Sequence, residues 1–126
     1  MFIGIDIIEA DRFADMDTSK LLRMFSQREI EYFRQKNYAP ESIAGLFCAK
    51  EAFFKALGTG VLSPESFMEV EVLHQISGAP YYKFTPKILA NYKMLSTAKI
   101  QLSISNTKKL SVAVCIIFSS GALIRS

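Results

Sequence analysis

Hydrophobic positions change their spacing several times along the first half of the chain, and each change predicts a different element. The run FIGIDII at residues 2–8 is rich in isoleucine and predicts a buried strand. Side chains alternate along a strand, so Asp6 is expected to share a face with Gly4 and Ile8, while three isoleucines take the other face.

Helical spacing follows over residues 9–36. Within it, Ser26 and Glu29 have the spacing of a capping box, which predicts that one short helix ends near Phe25 and a second begins after it. After a loop at 37–40, the longest predicted helix covers 41–57 and ends at Gly58.

The second half predicts four strands and one further helix. The strands cover 67–73, 81–84, 100–105 and 110–118, and the helix covers 87–95 after Pro86. Short turns, ISGAP and NTKK, join the strands in pairs. This order predicts an α+β fold in a single domain over 1–126, with a mostly antiparallel sheet and a block of helices.

Composition adds limits on function. Half of the 126 residues are hydrophobic and the mean hydropathy is +0.20, which favours some apolar surface being buried between subunits. A net charge of +3 suits an anionic ligand or an acidic protein partner but is too small to indicate nucleic acid. The first residues carry no basic segment and no span of membrane length, and two distant cysteines predict reduced core residues of a cytoplasmic protein.

The candidate chemistry centres on Asp6, Glu51 and Lys55. Each has an ordinary structural explanation: Asp6 could cap a helix or pair with a lysine, and Glu51 and Lys55 have the i, i+4 spacing of a helix ion pair. The alternative is a magnesium and phosphate site, because Mg²⁺ usually takes one or two protein carboxylates and completes its shell with water and phosphate oxygens. Lys50 or Lys55 would then neutralise phosphate charge.

Other polar residues give weaker signals. The stretch GTG at 58–60 would let backbone N–H groups approach a phosphate, although Gly58 is also explained as a helix terminator. His74 is the single histidine and has no partner at a suggestive spacing, so hydrolase triads have no base to build on. Arg12 and Arg23, beside Met16 and Phe25 if these are exposed, could dock an acidic helix.

Three segments together resemble a known family. GIDIIEADRF, AGLFCAKEAFFKALGTG and LSISNTKKLSVAVCII are similar to the signature blocks of the holo-[acyl-carrier-protein] synthases, which are small bacterial 4'-phosphopantetheinyl transferases. The blocks occur in the family's order over nearly the whole chain, and the middle block is the most specific. The resemblance implies an enzyme of that fold which transfers phosphopantetheine from coenzyme A to a serine of apo acyl carrier protein, releases 3',5'-ADP and supports fatty acid biosynthesis.

The resemblance also implies residue roles. Asp6 and Glu51 would bind Mg²⁺, and Lys55 would face the pyrophosphate. The expected coenzyme A contacts besides Lys50 and Lys55 are Gly58, Thr59, Gly60, Asn106 and Thr107. Arg12 and Arg23 would receive the carrier protein, and the family is usually a homotrimer with sites between subunits.

Two positions depart from the family pattern, and two other functions stay open. Leu46 stands where the family commonly has Arg, and Asn106 where it commonly has His, so Asn106 can hydrogen bond but cannot carry a charge. These departures leave open a non-catalytic module of the same fold that binds carrier protein. A nucleic-acid binder is the third possibility, based only on YYKF at 81–84, which would have to expose its aromatic rings.

Overall fold

The computed structural model describes residues 1–59 and 64–119. Its strands are β1 (Phe2–Glu9), β2 (Val70–His74), β3 (Pro80–Phe84), β4 (Lys99–Asn106) and β5 (Leu110–Phe118), and its α-helices are α1 (Thr18–Met24), α2 (Gln27–Gln35), α3 (Pro40–Leu57) and α4 (Pro86–Asn91). Short 3-10 helices cover Ala10–Phe13, Pro64–Glu69 and Lys93–Ser96. The predicted α+β class is confirmed.

All strand pairs in the described ranges are antiparallel. One sheet has the order β1-β5-β4, and β2 and β3 form a separate two-stranded sheet. In the larger sheet Asp6 lies opposite Ala113 of β5, and Ala113 lies opposite Ile104 of β4. β1 is therefore an edge strand of this sheet. Asp6, Ala113 and Ile104 form one row across the three strands, with Asp6 and Ile104 at its two ends.

Helix α3 crosses the inner face of this sheet and forms the centre of the core. It begins with Pro40 at its first turn and ends at Gly58, whose φ of 80° is the left-handed conformation that glycine adopts without penalty. Thirteen of its 18 residues are buried, so the helix is enclosed on nearly every side. Elements that contact it are thereby fixed relative to one another.

Gly4 allows β1 to approach α3 unusually closely. A Cβ atom at this position would lie 1.9 Å from the backbone oxygen of Ala52 and 2.6 Å from the backbone nitrogen of Ala56. Only glycine fits, because both neighbouring atoms belong to a helix backbone. This contact sets Asp6, two residues further along β1, against the same helix.

The predicted break between α1 and α2 is confirmed by a complete capping box. Ser26 Oγ accepts from the Glu29 backbone N–H, and the Ser26 N–H donates to the Glu29 carboxylate.

In the second half of the chain, the predicted boundaries of two elements are wrong. Phe67 belongs to a 3-10 helix because its ring packs into the core against Phe47, and strand alternation starts only at Val70.

The predicted helix 87–95 is also shorter than expected. α4 begins after Thr85, whose hydroxyl accepts from the Ile88 N–H, and it ends at Asn91. Tyr92 adopts φ −132° and ψ 74°, which breaks the helix before the 3-10 turn that follows. Among the described residues, both cysteines are free and buried, and no helix is long and apolar enough to span a bilayer.

The outer face of the larger sheet is apolar and uncovered. Ile3, Ile5 and Ile7 are 56–62% exposed, and they lie opposite the partly exposed residues Ile116, Val114 and Val112 of β5. A contiguous apolar patch of this kind on a small protein is typical of an interaction surface.

Candidate active site

The site forms where β1 meets one face of α3. Cys48, Glu51 and Lys55 share that face because they are three and four residues apart. Lys55 Nζ donates to Asp6 Oδ1 at 2.8 Å and to the Ile5 backbone oxygen at 3.2 Å. Lys55 therefore pairs with Asp6 on the strand and not with Glu51 on its own helix.

The negative charges of Asp6 and Glu51 act on one another. Partial burial raises the pKa of Glu51, and the negative charge of Asp6 raises it further, while Lys55 and Arg12 oppose the shift. A hydrogen bond to Asp6 raises the pKa of Lys55. Two carboxylates that repel one another in a half-buried position form a site that gains from a bound cation.

Cys48 lies behind these carboxylates. Burial, together with a hydrogen bond to Asp6, raises the pKa of its thiol, and Sγ also lies 3.3 Å from the Ser111 backbone oxygen. The thiol is consequently a neutral buried group and not a nucleophile at ordinary pH.

Arg12 lies beside the acidic pair. Its guanidinium stands over the Phe47 ring, 5.2 Å from the ring centroid, and Phe47 precedes Glu51 by one helical turn. Arg12, a predicted carrier-binding residue, therefore packs against a ring at the edge of the candidate active site. Its predicted role in carrier binding stays a prediction.

Lys50 corrects a prediction. It was expected to contact coenzyme A, but its side chain is fully buried and points into the core, about 100° around α3 from Glu51. Its ammonium donates to Glu29 Oε1, the Met24 backbone oxygen and the Phe67 backbone oxygen. All three N–H donors are used inside the protein, so Lys50 has none left for a phosphate.

Gly58 and Thr59 of the GTG stretch directly follow the end of α3. Gly58 N–H donates to the backbone oxygens of Phe54 and Lys55, and Thr59 N–H donates to that of Phe54. Gly58 is therefore confirmed as a helix terminator, while the coenzyme A contacts predicted for Gly58 and Thr59 stay predictions. Gly60 lies outside the described residues.

Asn106 and Thr107 are not brought to the acidic pair within one chain. Asn106 ends β4, and its Nδ2 donates to the Glu41 backbone oxygen at 3.2 Å. The Thr107 hydroxyl accepts from the backbone N–H groups of Lys109 and Leu110, so it shapes the turn. Two strand spacings, about 10 Å, separate the edge strand that holds Asp6 from the strand that holds Asn106.

Asn106 instead borders a separate cavity of about 200 Å³ on the other side of α3. Gly45, Leu46 and His74 also line it. The ring of His74 stacks on Tyr32 with centroids 4.2 Å apart. Of the predicted coenzyme A contacts, Lys55 and Asn106 thus lie on different flanks of α3.

Two expected exposures are wrong. Phe25 was expected to flank Arg23 on the surface, but it is 1% exposed because its ring packs edge-on against Phe33 in the core. Tyr82 and Phe84 of the YYKF stretch also turn inward and pack against Phe53. The stretch does not present the row of aromatic rings that a nucleic-acid binder would use.

The residues present suit a hard divalent cation, that is, one such as Mg²⁺ that prefers oxygen ligands. Asp6 and Glu51 supply two carboxylates whose charges interact, and two is a number of protein ligands that Mg²⁺ commonly takes. No cluster of three or more potential ligand side chains occurs in the ranges 1–59 and 64–119. The remaining coordination positions would therefore go to water and to phosphate oxygens.

Sequence reasoning missed two contributors to the site, Gly4 and Cys48, and the contact between Arg12 and Phe47. A glycine inside a β-branched strand is a recognisable sign of close backbone approach, so Gly4 could have been found. Phe47 lies one turn before Glu51, but nothing in the sequence indicates that Arg12 stacks on it. Cys48 carries no signal beyond its apolar surroundings.

Comparison with known proteins identifies the family of this chain. The family model described as the 4'-phosphopantetheinyl transferase superfamily matches residues 2–115. The holo-[acyl-carrier-protein] synthase of Caldicellulosiruptor bescii is 44% identical over 116 residues, which are 90% of this chain and 94% of that protein. The corresponding enzyme of Clostridium tetani is 39% identical over 118 residues, 91% of this chain and 93% of that protein.

Solved structures show the same fold. The holo-(acyl-carrier-protein) synthase of Bacillus anthracis, in complex with CoA (3',5'-ADP), has a TM-score of 0.77 at 32% identity and covers 94% of this chain and 96% of its own. The Neisseria meningitidis enzyme has a TM-score of 0.80 at 26% identity, covering 92% and 96%. With a family model over residues 2–115 and close relatives along nearly its full length, this chain belongs to the 4'-phosphopantetheinyl transferase superfamily, in its holo-[acyl-carrier-protein] synthase family.

Proposed function

We propose that this protein transfers the 4'-phosphopantetheine group of coenzyme A to a serine of an apo acyl carrier protein and releases 3',5'-ADP. The observation that carries the proposal is the meeting of Asp6, Glu51 and Lys55 at the β1–α3 contact, in a chain of this family. A site with two acids and a lysine suits a pyrophosphate held by a divalent cation.

The chemistry follows from charge and position. The serine oxygen forms a bond to the β-phosphorus of coenzyme A, the bond from that phosphorus to the bridging oxygen breaks, and the serine proton is released. Mg²⁺ held by Asp6 and Glu51 would supply positive charge against the pyrophosphate. Lys55, whose pKa is raised by Asp6, stays protonated and can stabilise the leaving 3',5'-ADP.

The carrier protein is proposed to dock beside this site. Arg12 stacks on Phe47, one helical turn before Glu51, and Arg23 is an exposed residue of α1. The net charge of +3 favours an acidic partner, which these two guanidinium groups would attract. Leu22, 51% exposed and adjacent to Arg23 in sequence, offers an apolar anchor.

We further propose that the protein acts as a cytoplasmic homotrimer in fatty acid biosynthesis. The exposed isoleucines of β1 provide an apolar face for self-association. The separation of the predicted coenzyme A contacts supports a composite site, because Asn106 and Thr107 of one subunit could complete the site that Asp6 and Glu51 begin in a neighbour.

The test is to incubate the protein with coenzyme A, Mg²⁺ and apo acyl carrier protein and to weigh the carrier by mass spectrometry. We expect the mass of one phosphopantetheine group to be added. Asp6→Asn and Glu51→Gln should each lower kcat/KM at least about 100-fold, since each removes a charge that the transition state needs. Glu31→Gln, which changes an exposed α2 carboxylate in the same way, should keep full activity.

A carrier that binds but gains no mass at any Mg²⁺ concentration would indicate the non-catalytic module instead. Transfer that proceeds at full rate in Glu51→Gln would remove the acidic pair from the reaction.

A further inference from the structure

The one fully buried ion pair of the described residues lies in the core beside α3 and includes the residue that precedes Glu51. Lys50 Nζ stands 2.7 Å from Glu29 Oε1, and both side chains are 0% exposed. Burial lowers the pKa of Lys50 and raises that of Glu29, while the charge of each partner opposes the shift. Removing both groups from water is costly, so the arrangement needs a reason.

The pair joins five segments of the chain. The Lys50 ammonium, on α3, donates to the Met24 oxygen at 3.0 Å and to the Phe67 oxygen at 2.8 Å. The Glu29 carboxylate, on α2, accepts from Ser26 N–H at 2.8 Å and from Val72 N–H at 2.9 Å. The last turn of α1, the start of α2, the 3-10 helix 64–69 and β2 are thereby tied to α3.

Two of these segments, α1 and α3, carry residues that have a role in the proposed function. Met24 ends α1, which carries Arg23, and Lys50 immediately precedes Glu51 on α3. The hydrogen bond from Lys50 to Met24 thus links the helix proposed for carrier docking directly to the helix that holds the acidic pair. The Lys50 ammonium also makes a cation–π contact near this hydrogen bond, with Nζ 4.9 Å from the centroid of the Phe25 ring.

Stability alone is a poor explanation for this pair. Apolar residues of similar size often replace a buried ion pair at no loss of stability, whereas a directed hydrogen-bond network selects one arrangement of the surrounding elements. The ammonium contacts carbonyl oxygens, which an apolar side chain could not orient.

We propose that Lys50 and Glu29 are positioning residues that fix the docking helix α1 relative to Glu51 on α3, so that the carrier serine arrives at the reacting phosphate. The proposal rests on the proposed function. Neither residue touches a substrate. Loss of the pair should therefore weaken productive use of the carrier protein and leave binding of coenzyme A unchanged.

The double variant Lys50→Met with Glu29→Gln tests this, because it removes both charges together and leaves no uncompensated ion in the core. We expect the KM for the carrier to rise at least about fivefold, with the KM for coenzyme A within about twofold of the wild type. Hydrogen exchange should quicken at the amides of 21–25 in the resting protein.

Ile88→Ala is the matched control. It truncates a buried side chain on α4, far along the chain from the docking helix, and lowers the melting temperature by cavity formation. At a comparable melting temperature it should leave both KM values and the exchange of 21–25 unchanged. If the double variant fails to fold, Glu29→Asp alone, which keeps both charges and shortens the acceptor by one methylene group, takes its place in the same measurements.

A carrier KM no higher than that of Ile88→Ala, or an increase confined to coenzyme A, would overturn the positioning role. These outcomes are separate from a failure of the proposed function, which would appear as absence of transfer in the wild-type protein itself.

Discussion

At the scale of single residues, the direction of a side chain matters more than its type. Lys50 and Glu51 are adjacent in sequence, yet one lies at the core and the other at the candidate active site. Neighbours on a helix point about 100° apart, so their roles diverge completely. The sequence allowed the prediction of Asp6, Glu51 and Lys55 as a group, but it could not show which lysine of the stretch faces outward.

Gly4 gives a test at this scale. Gly4→Ala would place a methyl group 1.9 Å from the Ala52 oxygen, and a helix backbone cannot move aside locally. We expect the free energy of unfolding to fall by about 2–3 kcal/mol, with a matching loss of transferase activity as β1 moves away from α3. Chemical denaturation monitored by circular dichroism measures the first effect.

Gly78→Ala is the control for this change. It also adds a methyl group, but nothing lies within 4 Å and only its φ of +92° opposes the substitution. The loss there should be about 1 kcal/mol. Equal losses at both glycines would contradict the close contact between strand and helix.

At the scale of elements, the predicted type of helix or strand is correct wherever a local signal is strong. The capping box at Ser26, the glycine after α3 and the polar turn before β5 all fixed boundaries to within about a residue or two. The segment at 67–73 failed because Phe67 is drawn into the core by contacts with Phe47 and Phe54, which lie far away in sequence. Tertiary packing of this kind leaves no local pattern.

The contact between α2 and β2 leads to a prediction on pH. Burial lowers the pKa of His74, which stacks on Tyr32, and nearby Lys36 lowers it further. The unfolded chain, with a histidine pKa near about 6.5, then binds a proton more readily than the folded one. Stability is therefore full above that value and is lost as the pH falls from about 6.5 toward the lowered pKa of the folded state.

The measurement is the free energy of unfolding between about pH 7.5 and 5 for the wild type and for His74→Phe, which keeps an aromatic ring and removes the proton site. The difference between the two curves should have a slope no greater than about 1.4 kcal/mol per pH unit, with the wild type losing stability on the acid side. Parallel curves would mean that His74 titrates alike in both states.

At the scale of the whole molecule, residues of the site could be predicted from the sequence, but whether they lie close together in space could not. Asn106 and Asp6 share the inner face of one sheet, yet strand β5 lies between their strands and α3 crosses that face. A sequence motif does not give the distance between its residues in the folded protein. Nor does it show whether these residues meet within one chain or across two chains. The fold supplies the distance, and the exposed face of β1 supplies a surface through which a second chain can be brought close.

That surface carries the last prediction. Ile5, 58% exposed at the centre of the outer face of β1, would be buried in the proposed trimer, so Ile5→Lys should place an unpaired charge in an apolar interface. We expect light scattering on a sizing column to show folded monomers in place of trimers, and transfer to fall because each site would lose its neighbour. Ile76→Lys makes the same change at a fully exposed turn position and should leave both mass and activity unaltered. If Ile5→Lys keeps the molar mass of the wild type, the outer face of β1 is not the subunit interface, and the uncovered isoleucines must serve another partner.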